Sequence, residues 1–151
     1  MQKALWLLLG LLGAAAPLSA QSVPESAEEP QIEFRTPSGN IYCEGDYVNE
    51  QGRQHPGLTC MVLQREGAAL PKPASCDLDW TPTVELKPNG AARHSGLCTG
   101  DIPFNPSAKV LPYGESIKGQ GWRCTAMSNG LRCENRSGRG FHLSRRAQQL
   151  F

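Results

Sequence analysis

Arg132, Arg136, Arg139, Arg145 and Arg146 stand close together near the C-terminus, with Phe141 and His142 among them. Guanidinium forks match carboxylates and phosphates, so this run is a candidate anion-binding cluster. The plainer alternative is that these arginines solvate a strand and a helix end, or answer acidic groups of the same molecule. His55, His94 and His142 are far apart, with no H-x-H or H-E-x-x-H pairing to place two imidazoles on one metal. Asp77 and Asp79 would share a face on a strand, and Asp101 could join them for calcium or acid–base chemistry. They follow Cys76 in a loop-like stretch beside Trp80, where a solvated turn is the ordinary reading. No G-x-S-x-G elbow is present. No catalytic residue, metal site or cofactor is therefore expected. Asn135-Arg136-Ser137 fits a glycosylation pattern, which matters only in a eukaryotic secretory pathway.

The cysteines carry the most information. Cys43, Cys60, Cys76, Cys98, Cys124 and Cys133 could pair in 15 ways. The midpoint of each consecutive pair falls on or beside turn formers: Gln51-Gly52, Pro88-Asn89-Gly90 and Ser128-Asn129-Gly130. Cysteines facing each other across hairpins are spaced in this way, which favours Cys43 with Cys60, Cys76 with Cys98, and Cys124 with Cys133. Gly57-Leu58-Thr59-Cys60 and Gly130-Leu131-Arg132-Cys133 repeat one hairpin device. No C-x-x-C occurs, so neither a zinc ribbon nor a thioredoxin-type site is supported.

These cysteines belong to a chain of 151 residues whose first twenty read as a cleaved export signal. Lys3 supplies the positive charge, Ala4 to Ala16 the apolar run, and Leu18-Ser19-Ala20 the small-residue cleavage site before Gln21. The run is shorter than the roughly 20 residues a membrane helix needs. A lipid anchor would need cysteine where Gln21 stands. An exported protein, periplasmic or extracellular, with no membrane span and no lipid anchor is the expectation, and an oxidising compartment suits disulfides.

Residues 21–31 are rich in Glu, Ser and Pro and read as a flexible leader. Residues 32–151 read as a single β-rich domain. Short strands are expected at 32–36, 40–44, 58–64, 83–87, 108–111, 121–127, 131–135 and 140–143, separated by Gly, Pro and Asn turns. No segment sustains a 3.6-residue period. The fold class is all-β, a small disulfide-stapled barrel or two-sheet sandwich, with a short C-terminal helical turn that Ser144 would cap ahead of Leu150 and Phe151.

Charge divides along the chain. Residues 21–85 hold 11 acidic and 4 basic groups, and residues 86–151 hold 3 and 10. Such a split marks either an anion-binding face or two halves that complement each other, the second being the more ordinary outcome.

Four segments carry a resemblance: Phe34-Arg35-Thr36-Pro37-Ser38-Gly39-Asn40-Ile41-Tyr42-Cys43, Val110-Leu111-Pro112-Tyr113-Gly114, Asn129-Gly130-Leu131-Arg132-Cys133, and Ser137-Gly138-Arg139-Gly140-Phe141-His142-Leu143-Ser144-Arg145. In that order they resemble a bacterial family of small exported proteins known as a domain of unknown function. The resemblance brings no activity with it. Arg139 stands where the family pattern often has His, so no metal or catalytic role is carried to that turn.

Two function classes follow. One is a non-catalytic exported module that binds a protein or an anionic envelope component. The other is a small secreted hydrolase or an inhibitor of one. Nucleic acid is a poor match for a neutral exported protein without interleaved aromatics.

Overall fold

Eleven strands form two sheets in the computed structural model, which describes residues 28–151. The export signal and most of the leader lie outside the described residues. The first sheet contains β1 (Glu29–Arg35), β2 (Ile41–Val48), β3 (Gln54–Val62), β4 (Asp79–Leu86), β5 (Arg93–Thr99) and β6 (Lys109–Val110), in the order β5-β4-β3-β2-β1-β6. The second contains β7 (Ser116–Lys118), β8 (Trp122–Met127), β9 (Gly130–Asn135), β10 (Gly140–Leu143) and β11 (Gln148–Leu150), in the order β11-β10-β9-β8-β7. All pairings are antiparallel except β1 with β6. The sheets do not close into a barrel and stack as a sandwich.

Alternation decides which face is buried. In β8, Trp122, Cys124 and Ala126 point inward while Arg123 and Met127 are exposed. β9 repeats the device with Leu131 and Cys133. These side chains meet Phe34, Ile41, Cys43, Leu58, Cys60, Val84 and Leu86 of the first sheet in one core. Phe34 and Trp122 stack across it with ring centroids 6.3 Å apart.

Two disulfides lie inside this core. Cys43 and Cys60 are directly opposed on β2 and β3, and Cys124 and Cys133 on β8 and β9. The third joins Cys76, in the connection before β4, to Cys98 on β5. It pins the long connection 63–78 against an edge strand. Among the described residues no cysteine is free.

The C-terminus departs from the helical expectation. Ser144 Oγ accepts from Ala147 N at 3.0 Å, the contact a helix cap makes, but Ser144 N also donates to Ala147 O at 2.8 Å and closes a tight turn. The chain then returns as β11, pairing Phe141 with Leu150, and Leu150 packs on the core. A local Ser signal serves both structures, and the tertiary pairing selects the strand. β1 begins at Glu29, inside the segment 21–31, where Glu29 pairs with Val48 and Pro30 with Tyr47. The connection 100–108 folds over the outer face of the first sheet, placing Phe104 edge-on to Tyr42 beside Met61, Ala108 and Leu97.

Candidate functional site

The sandwich has two ends with opposite character. At one end the β4–β5 turn meets the β9–β10 turn. Asn135 is buried there and uses its whole amide: Nδ2 donates to Lys87 O and Gly90 O, both at 2.8 Å, and Oδ1 accepts from Ser137 N and Arg139 N at 3.0 and 3.1 Å. Arg136 N donates to Pro88 O and Gly121 O. The nitrogen a glycan would need is thus engaged in holding two turns together.

Nearby, Asp46 performs the same work with a charge. β2 is irregular between Gly45 and Tyr47, and Asp46 sits there with φ 53°. Its buried carboxylate accepts from Trp122 Nε1 at 2.9 Å, Gln120 N at 2.7 Å and Gly57 N at 3.3 Å, tying the first sheet to the second. Bulged residues often re-aim a side chain in this way.

The other end is open. The β1–β2 turn, the start of the β3–β4 connection, the crossing between sheets at Pro112–Gly114, the β8–β9 turn and the β10–β11 turn surround a groove of about 520 Å³. Thr36, Ser38, Asn40, Gln64, Ser128 and Asn129 supply hydroxyls and amides to its lining. Tyr113 is half exposed in its wall, carried between Leu111, whose N–H donates to Arg35 O, and Gly114, whose N–H donates to Ala126 O. Asn40 is engaged with Gln64, accepting from its N–H at 2.7 Å and donating to its carbonyl at 3.0 Å. Gly130 is required in this wall, because a Cβ there would lie 2.1 Å from Leu143 O at a φ of 145°.

This geometry divides the five arginines of the sequence cluster. Arg145 and Arg146 line the open groove, both beside Glu66: Arg145 Nε lies 3.1 Å from Oε1 and Arg146 Nε 3.3 Å from Oε2. Arg136 and Arg139 are exposed on the turn at the closed end. Arg132 lies on the outer face of the second sheet, 3.3 Å from Glu134, with its guanidinium over the Phe151 ring at 4.2 Å. The cluster is not one face, because β10 separates its two turns and places them at opposite ends. Charge complementarity between the halves of the chain is realised locally, through Glu66 with Arg145 and Arg146.

The other candidates are dispersed as well. His55 is paired with Glu28, His94 is exposed on edge strand β5, and His142 lies on β10 with Nε2 buried and unpartnered. Asp77 and Asp101 are exposed in connections, while Asp79 opens β4 opposite Thr99. Among the described residues no three His, Cys, Asp or Glu are grouped to hold a metal ion.

Sequence reasoning missed the carboxylates on the outer face of the first sheet. Glu33 and Glu44 are direct cross-strand neighbours, a repulsive arrangement. Glu33 accepts from Tyr42 OH at 2.6 Å and Asn105 Nδ2 at 2.8 Å. Burial, and then the Glu33 charge, push the Glu44 carboxyl up to about 7. Burial first, then the bond to Glu33, holds the Tyr42 phenol well above its ordinary range. The strands expected at 32–36 and 40–44 already contain both residues; what stays hidden in the sequence is the register across the β1–β2 turn that sets Glu33 opposite Glu44.

Three disulfides fit an exported protein. Among the described residues no helix is long and apolar enough to cross a membrane. No curated protein and no solved structure matches the chain. Residues 11–151 match the family of unknown function DUF6636, and the chain belongs to that family.

Proposed function

We propose that this is a non-catalytic exported binding module, periplasmic or extracellular after loss of residues 1–20, with one β-rich domain that captures an anionic partner in the open-end groove. The partner is an acidic protein or a polyanion of the cell envelope. The observation that carries this reading is the pair Arg145 and Arg146 on the wall of a groove of about 520 Å³, a volume in the range of drug-sized ligand sites. Two guanidinium groups meet one carboxylate there, which leaves net positive charge facing the groove. Arg136 and Arg139 lie on a turn bonded down at the opposite end.

Calorimetric titration with a soluble polyanion tests this. Affinity should fall as salt is raised, since exposed charges are screened over roughly 8 to 10 Å at 0.1 to 0.15 M. Arg145→Ala with Arg146→Ala should abolish binding, and Arg136→Ala with Arg139→Ala should leave it within about twofold. Equal losses from the two pairs, or no binding by the unmodified protein, would remove the groove as the site.

A further inference from the structure

We infer that the ligand of the groove is an acidic saccharide, and that Glu66 occupies Arg145 and Arg146 as a built-in stand-in for the saccharide carboxylate. The inference rests on the groove being an anion site and adds the ligand class and the manner of entry. Glu66 bridges the two arginines with one oxygen each, at 3.1 and 3.3 Å. The Glu85–Arg93 pair elsewhere in the molecule is tighter, with contacts of 2.9 and 2.6 Å to one oxygen. The Glu66 carboxylate is half exposed, as is the side chain of Arg145, and that of Arg146 is 85% exposed. Ion pairs so open to water contribute little net stability, so an incoming carboxylate can replace Glu66 at small cost.

Only the side chain has to turn. Glu66 N donates to Arg145 O at 2.8 Å, and Arg65 reaches the Gln148 amide oxygen at 3.1 Å once that amide is oriented to satisfy both of its ends. These contacts keep the connection in place while the carboxylate leaves. Arg146 also lines a second cavity of about 420 Å³ that Glu66 helps to wall, with Leu70 and His94 beyond it. A ligand that displaces Glu66 can therefore extend past Arg146.

The rest of the lining selects a sugar over a peptide. A sugar ring offers an apolar C–H face and a rim of hydroxyls, which match the Tyr113 ring and the exposed Ser128 and Asn129. Peptide capture by a β protein ordinarily uses an unpaired strand edge or a row of apolar pockets. This groove is walled by turns, with Ile41 and Met127 set singly among the polar side chains, and its lining forms neither arrangement.

The experiment titrates the full mature chain with a trimeric uronic acid, the neutral trisaccharide of the same linkage, and triglutamate. The uronate should bind and the other two should not. Glu66→Gln removes the internal carboxylate and should tighten the uronate roughly 3- to 10-fold, since two exposed ion pairs are released. Glu66→Asp, one methylene too short to bridge both arginines, should tighten it in the same direction. Tyr113→Ala should weaken it about tenfold with the melting temperature unchanged. Unchanged or weaker binding in both Glu66 variants overturns the stand-in while leaving the groove an anion site. Triglutamate binding as well as the uronate, or an ineffective Tyr113→Ala, overturns the saccharide. Failure of every anion to bind overturns the underlying reading instead.

Discussion

The closed and open ends of the sandwich are built from the same turn residues and differ in where their polar groups point. At the closed end, Asn135 and Asp46 reach from one sheet to the other, Asn135 donating to main-chain carbonyls and Asp46 accepting from a main-chain N–H and the indole N–H. At the open end, Asn40 bonds to Gln64 and Ser144 to Ala147, each on its own side of the sandwich. A polar side chain that bridges sheets seals them, whereas one that bonds only on its own side leaves the space between sheets empty. The groove is thus a consequence of bonds made on one side or the other. The polar link across the sheets at this groove that involves the Arg145 and Arg146 side chains is made by Glu66, and those ion pairs are solvent-exposed.

On this contrast, the largest effect among the polar side chains should come from Asp46→Ala. The substitution strands Trp122 Nε1 and Gly57 N in the interior, removes the partner of Gln120 N at its margin, and places Ala at a φ of 53°. Unpartnered buried donors and lost charge-assisted bonds amount to about 3 kcal/mol, read as a lower midpoint in guanidinium unfolding. Asn135→Ala should follow at about 2 kcal/mol, because one amide serves four partners. A loss below about 0.5 kcal/mol for either would mean that the closed end is held by apolar packing alone.

These two residues also mark where the sequence stops being legible. Turn chemistry and cysteine spacing locate the hairpins, and the alternation around Cys124 and Cys133 gives the inward faces of β8 and β9. The family segments contain much of what lines the groove, including Thr36, Ser38, Asn40, Tyr113, Asn129, Ser144 and Arg145. Nothing local in Asp46 or Asn135 announces an inter-sheet role, since a polar residue near a bulge or turn is ordinarily solvated. β5 was hidden because His94, Ser95 and Gly96 are weak strand formers. Gly96 is there to admit the Trp80 ring, since a Cβ would lie 2.3 Å from it. The arginines misled for a topological reason: a four-residue strand is enough to send neighbours in sequence to opposite ends.

A third perturbation tests whether the contrast between ends is independent of the outer face of the first sheet. The folded Glu44 carboxyl binds its proton more tightly than the ordinary carboxyl at 4.5. The stability associated with the protonated form is complete below 4.5 and is lost as pH rises through about 7. Because the side chain keeps contact with water, the loss should be only about 1 kcal/mol. Glu44→Gln should match the unmodified protein near about pH 4 and exceed it by about that amount near about pH 8. Ligand affinity at the groove should not change, and a parallel change in affinity would show that the outer face and the open end are coupled.

The smallest effect is expected where the groove itself is cut. Ser128 and Asn129 are exposed at the tip of the β8–β9 turn, and Asn129 has no positive φ that would require its side chain. The turn is held from beneath by the opposed cysteines Cys124 and Cys133 and by Gly130 against Leu143. Ser128→Ala with Asn129→Ala should therefore alter stability by less than about 0.5 kcal/mol, in the range of ordinary surface changes. The same double variant should weaken binding at the groove severalfold, measured by calorimetry beside the melting temperature. Two side chains that matter to a ligand and not to the fold are what an open end predicts. A loss above about 1.5 kcal/mol would make this turn a structural tie like Asn135 and erase the distinction between the ends.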